Sequence, residues 1–187
     1  MTKRCPWTGP DPLMIAYHDV EWGVPVHDEQ QLFEFFVLDA FQAGLSWRTI
    51  LHKRENFRAA FDDFDPGRIA RYGDTERERL LADAGIVRNR MKIDATIHNA
   101  RAFLRLREDR GSFDEWIWRF TDGRTIRNEW AEPADVPSTS PESDAMSRAL
   151  KEEGFKFVGS TICYAFMQAA GLVNDHLVSC FRYDEVG

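Results

Sequence analysis

Several things are scarce in this chain of 187 residues, and each scarcity narrows what it can be. No apolar run approaches the roughly 20 residues that a helix needs to cross a bilayer, and the opening MTKRCPWTGPDP has no apolar signal region. A soluble cytoplasmic protein with no membrane partner is expected. Cysteines number three, an odd count that points to thiols or metal ligands over a disulfide framework. Cations are outnumbered, 24 Lys and Arg against 31 Asp and Glu, for a net charge of −7. That balance argues against a general polyanion binder, although a net value hides local patches. Internal repeats, low-complexity tracts and alternating strand patterns are missing, so the fold should be all-helical. Aromatics, by contrast, are plentiful: six Trp and fourteen Phe. The length suits a single domain over 1–187 with a sizeable core.

The stretch on which the chain turns is Leu32–Trp47, LFEFFVLDAFQAGLSW. It is apolar almost all round, which predicts a buried helix. Asp39 sits in its middle, and a buried carboxylate is normally either paired or put to use. The helix should stop at Ala43-Gly44 and restart at Ser46, an N-cap residue. Two readings stay open on this stretch: a pocket floor beside a protruding loop that carries Leu45 and Trp47, or a core helix whose Asp39 meets a buried arginine or a backbone amide.

In chain order, Asp11-Pro12 opens a short helix to Val20, and Asp28 with Gln31 forms a capping box for the buried helix. From Ser46 a helix runs to about Ala60, with Lys53, Arg54 and Arg58 on its outer side. Asp65-Pro66 and Asp74 start two short helices, the second reaching Gly85. A longer helix spans Asn89–Arg107. Arg88, Arg90 and Lys92 crowd its start, where cations oppose the helix dipole; a solvated basic turn is the expectation. Ser112 and Glu115 cap a short helix holding Trp116 and Trp118, and 128–140 reads as an ordered connector. A helix from Pro141 to Glu153, capped by Ser140, is followed by Phe155–Ser160 and a helix from Thr161 to Ala170. Helix, tight glycine-bearing hairpin, helix can present backbone N–H groups to a phosphate without reading sequence, although most such hairpins only pack.

Cys5 and His18 lie near one end of the chain, His176 and Cys180 near the other. The last two are four apart and would share a helix face. Two Cys and two His complete a tetrahedral zinc set with no position left for water, hence structural. Spacing alone leaves open a buried cysteine and two surface histidines. Cys163, His27, His52 and His98 have no partner at ligand spacing.

Taken together, these pieces resemble the bacterial DNA-3-methyladenine glycosylase I family of the helix-hairpin-helix glycosylase superfamily. The resemblance covers almost the whole chain: Cys5-Pro-Trp7, AYHDVEWGVP at 16–25, FQAGLSW at 41–47, KRENFRAAFDDFDP at 53–66, AGIVRNRMKI at 84–93, and GFKFVGSTICYAFMQAAGLVNDH at 154–176. It implies a helix-hairpin-helix DNA glycosylase fold with a zinc site joining the terminal segments. The implied activity is base-excision repair, hydrolysing the N-glycosidic bond of 3-methyladenine in double-stranded DNA without a lyase step, by a monomer. The family's zinc ligands fall on Cys5, His18, His176 and Cys180. Its base pocket falls on Trp7, Tyr17, Trp22 and Trp47, with the carboxylate at Asp39. Tyr17 and Asp39 take the positions assigned to the chemistry at the base, Asp39 recognising the damaged adenine and not activating water. Leu45 would fill the gap left by the flipped nucleotide, and Lys156, Gly159 and Ser160 would hold a phosphate. Arg48, Lys53, Arg54 and Arg88–Lys92 are further DNA-contact candidates.

Two positions depart from the family's pattern: Asp39 stands where Glu is usual, and Met14 where Tyr is. The shorter acid draws its oxygens back by about 1.5 Å, against a hydrogen-bond window only a few tenths wide. Met14 lacks a hydroxyl and a flat face but can touch a ring through sulfur. These departures keep two alternatives in view: a lesion reader that flips bases without cutting, and a glycosylase with a shifted lesion range. A zinc hydrolase would need an open coordination position, which four protein ligands exclude.

Overall fold

The structure is a computed structural model that describes residues 2–186. Its centre is the predicted buried helix. Asp28 caps α2, Glu29–Gln42, by accepting from the Gln31 amide at 2.8 Å, and every residue from Leu32 to Phe41 is buried. The helix lacks a polar stripe because neighbours cover it on several sides. Phe33 meets Phe103, Phe36 meets Phe155 and Phe166, and Phe41 meets Phe57, with ring centroids between 4.8 and 5.9 Å. The first three pairs meet edge to face and the last is tilted; aromatic pairs of this kind add to the burial of the rings themselves.

Around it the order is α1 Pro12–Val20, α3 Trp47–Ala60, α4 Pro66–Ile69, α5 Asp74–Ala82, α6 Arg90–Arg110, α7 Phe113–Trp118, α8 Pro141–Glu152 and α9 Ser160–Ala169. The caps sit where sequence chemistry puts them. Asp11, Ser46, Asn89, Ser112 and Ser140 each accept a hydrogen bond from a first-turn amide, using donors that a helix start leaves free.

Four expectations are corrected. The chain is not wholly helical: Ile126–Arg127 (β1) and Val173–Asn174 (β2) pair in parallel, Ile126 opposite Val173. Two residues per strand are too few to leave an alternating pattern. Arg54 does not ride an outer face. It is 6 % exposed, donates to Glu34 and Glu21 at 2.5 Å each, and lies over the Phe35 ring. That ionic triad pins α3 to α2 and to the end of α1. Lys92 is likewise buried, and its ammonium takes backbone carbonyls at the end of α2 instead of water. Finally, His176–Cys180 is a turn and not a helix, with the Cys180 amide donating to Leu177 O at 2.7 Å.

The end of α9 seats the N-terminal segment. Gly23 and Val26 donate their amides to Gln168 O and Ala170 O at 3.0 and 3.1 Å. Gly171 follows in the left-handed region, φ +76°, and a Cβ there would lie 2.4 Å from the Val24 carbonyl carbon. Only glycine lets the two segments approach so closely. Near this crossing Lys3, Cys5, His18 and Trp22 meet His176, Cys180 and Phe181. Among the described residues, no helix is long and apolar enough to span a membrane.

Candidate active site and metal cluster

A cavity of about 480 Å³ opens between the N-terminal segment, α1, α2, the start of α3 and the end of α9. Its walls are aromatic. Trp7 and Trp22 meet edge to face at 5.0 Å, and Tyr17 and Trp47 lie 5.1 Å apart. Met14 packs with Tyr17 and Leu51 behind Trp22 and Trp47. All six expected base-site residues, Trp7, Met14, Tyr17, Trp22, Asp39 and Trp47, line this one space.

Asp39 is 3 % exposed, and its Oδ2 has no hydrogen-bond partner among the described residues. Among the described residues neither a buried arginine nor a backbone amide meets it, which favours the pocket-floor reading of α2. Desolvation alone pushes its carboxyl well above the usual range. The Tyr17 phenol is raised well above its ordinary value too, by burial first and then by the charges of Asp39 and Glu21, so it stays a hydroxyl donor. The Trp47 Nε1–H is also buried and unpaired. An aromatic slot holding an unused donor and an unused acidic oxygen is built for a flat, polar, cationic guest.

Among the acids that line the cavity is one that sequence reasoning passed over. Asp175, 2 % exposed, accepts from Tyr164, Gln168, Asn128 and Trp130 at 2.7–2.8 Å. Four neutral donors hold it, whereas Asp39 has none. The only signal was an acid directly before His176, and its donors lie 7, 11, 45 and 47 residues away in sequence.

At the rim Leu45 is 41 % exposed on the Ala43–Ser46 turn. Arg48 is exposed and pairs with Asp11 at 2.6 Å, which also takes His52 at 2.7 Å; the His52 hydrogen bond foremost holds the Asp11 carboxyl down to about 2. Of the other basic candidates, Arg88, Arg90 and Lys156 are exposed, Lys53 is half-buried on the Ala84 and Gly85 carbonyls, and Arg54 and Lys92 are enclosed. The α8–α9 connection is rigidly held: Asn99 of α6 accepts from the Lys156 amide at 2.8 Å and donates to its carbonyl at 2.9 Å. Ser147 donates to Val158 O at 2.6 Å. Gly159, the N-cap of α9, faces open space, and Ser160 Oγ bonds Ser143 Oγ at 2.8 Å.

Behind Trp22 lies the four-residue cluster. One ligand atom from each of Cys5, His18, His176 and Cys180 falls within 4.8 Å of the others, all four residues being buried. Cys180 Sγ is 3.4 Å from His18 Nε2 and 3.6 Å from His176 Nδ1, and Cys5 Sγ is 3.8 Å from His176 Nδ1. Zinc–sulfur and zinc–nitrogen bonds at tetrahedral angles give edges of about 3.3–3.8 Å. The donor set therefore fits a tetrahedral ion. The histidines are oriented for it as well. His176 Nε2 faces the Trp22 carbonyl at 3.0 Å, so it carries the proton and Nδ1 offers its lone pair. His18 Nδ1 faces Asp19 at 2.8 Å, and Arg4 clamps Asp19 in turn, the carboxylate–histidine arrangement common behind metal ligands.

In fold the chain is similar to solved DNA glycosylases. It superposes on a crystal structure of 3-methyladenine DNA glycosylase I with a TM-score of 0.94, at 54% identity, covering 96% of this chain and 98% of that one. The Staphylococcus aureus 3-methyladenine DNA glycosylase I, solved to explain 3-methyladenine recognition, gives a TM-score of 0.92 at 34% identity over 95% of each chain. In sequence the chain is 51% identical over 181 residues to DNA-3-methyladenine glycosylase 1 of Escherichia coli K12, 97% of each. With the Haemophilus influenzae DNA-3-methyladenine glycosylase it shares 45% over 180 residues, 96% of this chain and 97% of that one. The methyladenine glycosylase pattern matches residues 7–183. The chain belongs to the methyladenine glycosylase family.

Proposed function

We propose that this protein excises 3-methyladenine from duplex DNA by hydrolysing its N-glycosidic bond, acting as a monomer. The observation that carries the reading is Asp39: a buried carboxyl with an unpartnered oxygen in the wall of an aromatic cavity. A base inside a duplex is out of reach, so the nucleotide must leave the stack. Trp7, Trp22 and Trp47 offer faces and edges, and base–aromatic stacking contributes about 1–3 kcal/mol. A methylated adenine is cationic in DNA, and a cation entering beside Asp39 draws its carboxyl back towards ionisation. Normal adenine brings no charge and leaves that acid buried without a partner. Discrimination thus rests on charge as well as shape.

The reaction asks little of the protein. Water adds to the sugar C1′, the base departs with the bonding electron pair and becomes neutral, and a proton passes to solvent. A cationic base is already a good leaving group. Binding it in the slot, together with negative charge near an oxocarbenium-like sugar, supplies much of the remaining help. Tyr17, held as a hydroxyl, is positioned to donate to the base; Asp39 is a recognition group and not the base that activates water.

Leu45 is read as the side chain that fills the vacated stack. The α8–α9 connection is read as the helix-hairpin-helix element, with Gly159 and Ser160 at the α9 N-terminus receiving a phosphate and Lys156 adding charge. Zinc, held by Cys5, His18, His176 and Cys180, supplies a structural cross-link between the chain's ends. The test is direct: methylated duplex DNA is incubated with the protein, and free base and strand integrity are measured. Released 3-methyladenine with the strand uncut supports the reading; binding without release favours the lesion reader.

A further inference from the structure

The turn between α2 and α3 has a defined type. Ala43 sits at φ −47°, ψ 115°, Gly44 at φ +79°, and the Leu45 amide donates to Gln42 O at 2.6 Å. That is a type II turn, which differs from type I by a flip of its central peptide. Here the central peptide is Ala43–Gly44, so the direction of the Ala43 carbonyl defines the turn. This carbonyl accepts from Lys92 Nζ at 2.5 Å, and Phe41 O accepts from the same ammonium at 2.8 Å. Lys92 is 7 % exposed and meets no carboxylate among the described residues. A buried ammonium bonded only to carbonyls is costly to keep, and the site it reaches is the negative end of a helix dipole. It is also delivered rigidly, since Asn89 caps its amide at 3.1 Å and Ile93 beside it is fully buried. A Cβ at Gly44 would meet nothing within 4 Å, so no packing from outside fixes the turn at that point.

We infer that Lys92 is a positioning residue: its ammonium selects the type II form of the Gln42–Leu45 turn and so fixes the direction in which Leu45 projects. The functional half of this rests on the glycosylase reading above; the turn itself does not. Lys92→Met keeps the length and removes the donor, and Lys92→Gln keeps a shorter, neutral one. Each is made in the Leu45 and Leu45→Ala backgrounds. With Leu45 present, Lys92→Met should slow single-turnover excision roughly tenfold, with little further loss once Leu45 is gone, as for two groups acting together. The close approach of Ala43 Hα to the Gly44 amide proton, which marks the type II central peptide, should weaken in nuclear Overhauser spectra, Lys92→Gln should be intermediate, and free-base binding in the cavity, followed by tryptophan quenching, should not change. Equal losses in both backgrounds, or an unchanged Ala43 Hα–Gly44 amide cross-peak, would show that Lys92 merely supports the fold. If Lys92→Met does not fold, Lys92→Gln carries the comparison. If neither folds, the unmodified protein decides: slowly exchanging Lys92 ammonium protons in nitrogen-15 spectra are expected, and a solvent-averaged ammonium overturns the inference. Should the unmodified protein release no base at all, the glycosylase reading fails while the Ala43–Gly44 cross-peak still decides the turn.

Discussion

Replacing Asp39 by Asn keeps the shape of the side chain and removes only its ability to ionise. In the cavity wall that ability answers a cation with an oxygen that has no other partner among the described residues. A hydrogen bond to a charged group contributes about 1.5–3 kcal/mol net, so single-turnover excision should fall by about 10- to 150-fold at 1.36 kcal/mol per decade. Asp39→Glu should raise excision, since the added bond carries the oxygens further into the slot. Stability should move the other way. Burial raises the folded carboxyl, so its contribution is complete below the unfolded carboxylate range, about 4, and is lost as pH rises through the folded value. Asn has no such loss; its melting temperature should match or exceed the native one at pH 8, with that advantage shrinking towards pH 4. The assay is base release from methylated duplex at several pH values, with melting curves alongside. Equal excision by the native protein, Asp39→Asn and Asp39→Glu would refute the assigned role.

Three further outcomes are expected. Lys156→Ala should weaken DNA binding alike on every sequence and lower the slope of log affinity against log salt by about 1, leaving lesion choice intact; a changed lesion preference in base-release assays would contradict it. Metal analysis should find zinc in proportion to chain, and chelation or Cys180→Ser should lower the melting temperature by several degrees or more; an unchanged melt would remove the structural role. Gly171→Ala should cost about 3 kcal/mol or more, or prevent folding, because a Cβ 2.4 Å from Val24 has no room; a denaturation midpoint close to the native one would show that the two segments can part without cost.

Sequence chemistry located helix starts well, because caps are local. Asp11, Asp28, Ser46, Asn89, Ser112 and Ser140 each serve the turn that follows them. Long-range pairing was not legible. Arg54 and Lys92 look like surface cations from periodicity, and only the fold reveals that Glu21 and Glu34, or the carbonyls ending α2, lie in reach. The spacing of His176 and Cys180 suggested a helix face, whereas a turn closes the same distance. Asp39 was conspicuous because one carboxylate stood in an apolar run; Asp175 was not, its four donors being scattered through sequence and gathered only by folding.

The most direct measurement is chromatography of the small molecules released from methylated duplex DNA after incubation with the protein. Free 3-methyladenine should appear in proportion to protein and time, with the sugar–phosphate strand intact until it is treated with alkali. DNA held tightly by the protein while no free base appears would contradict excision at this cavity.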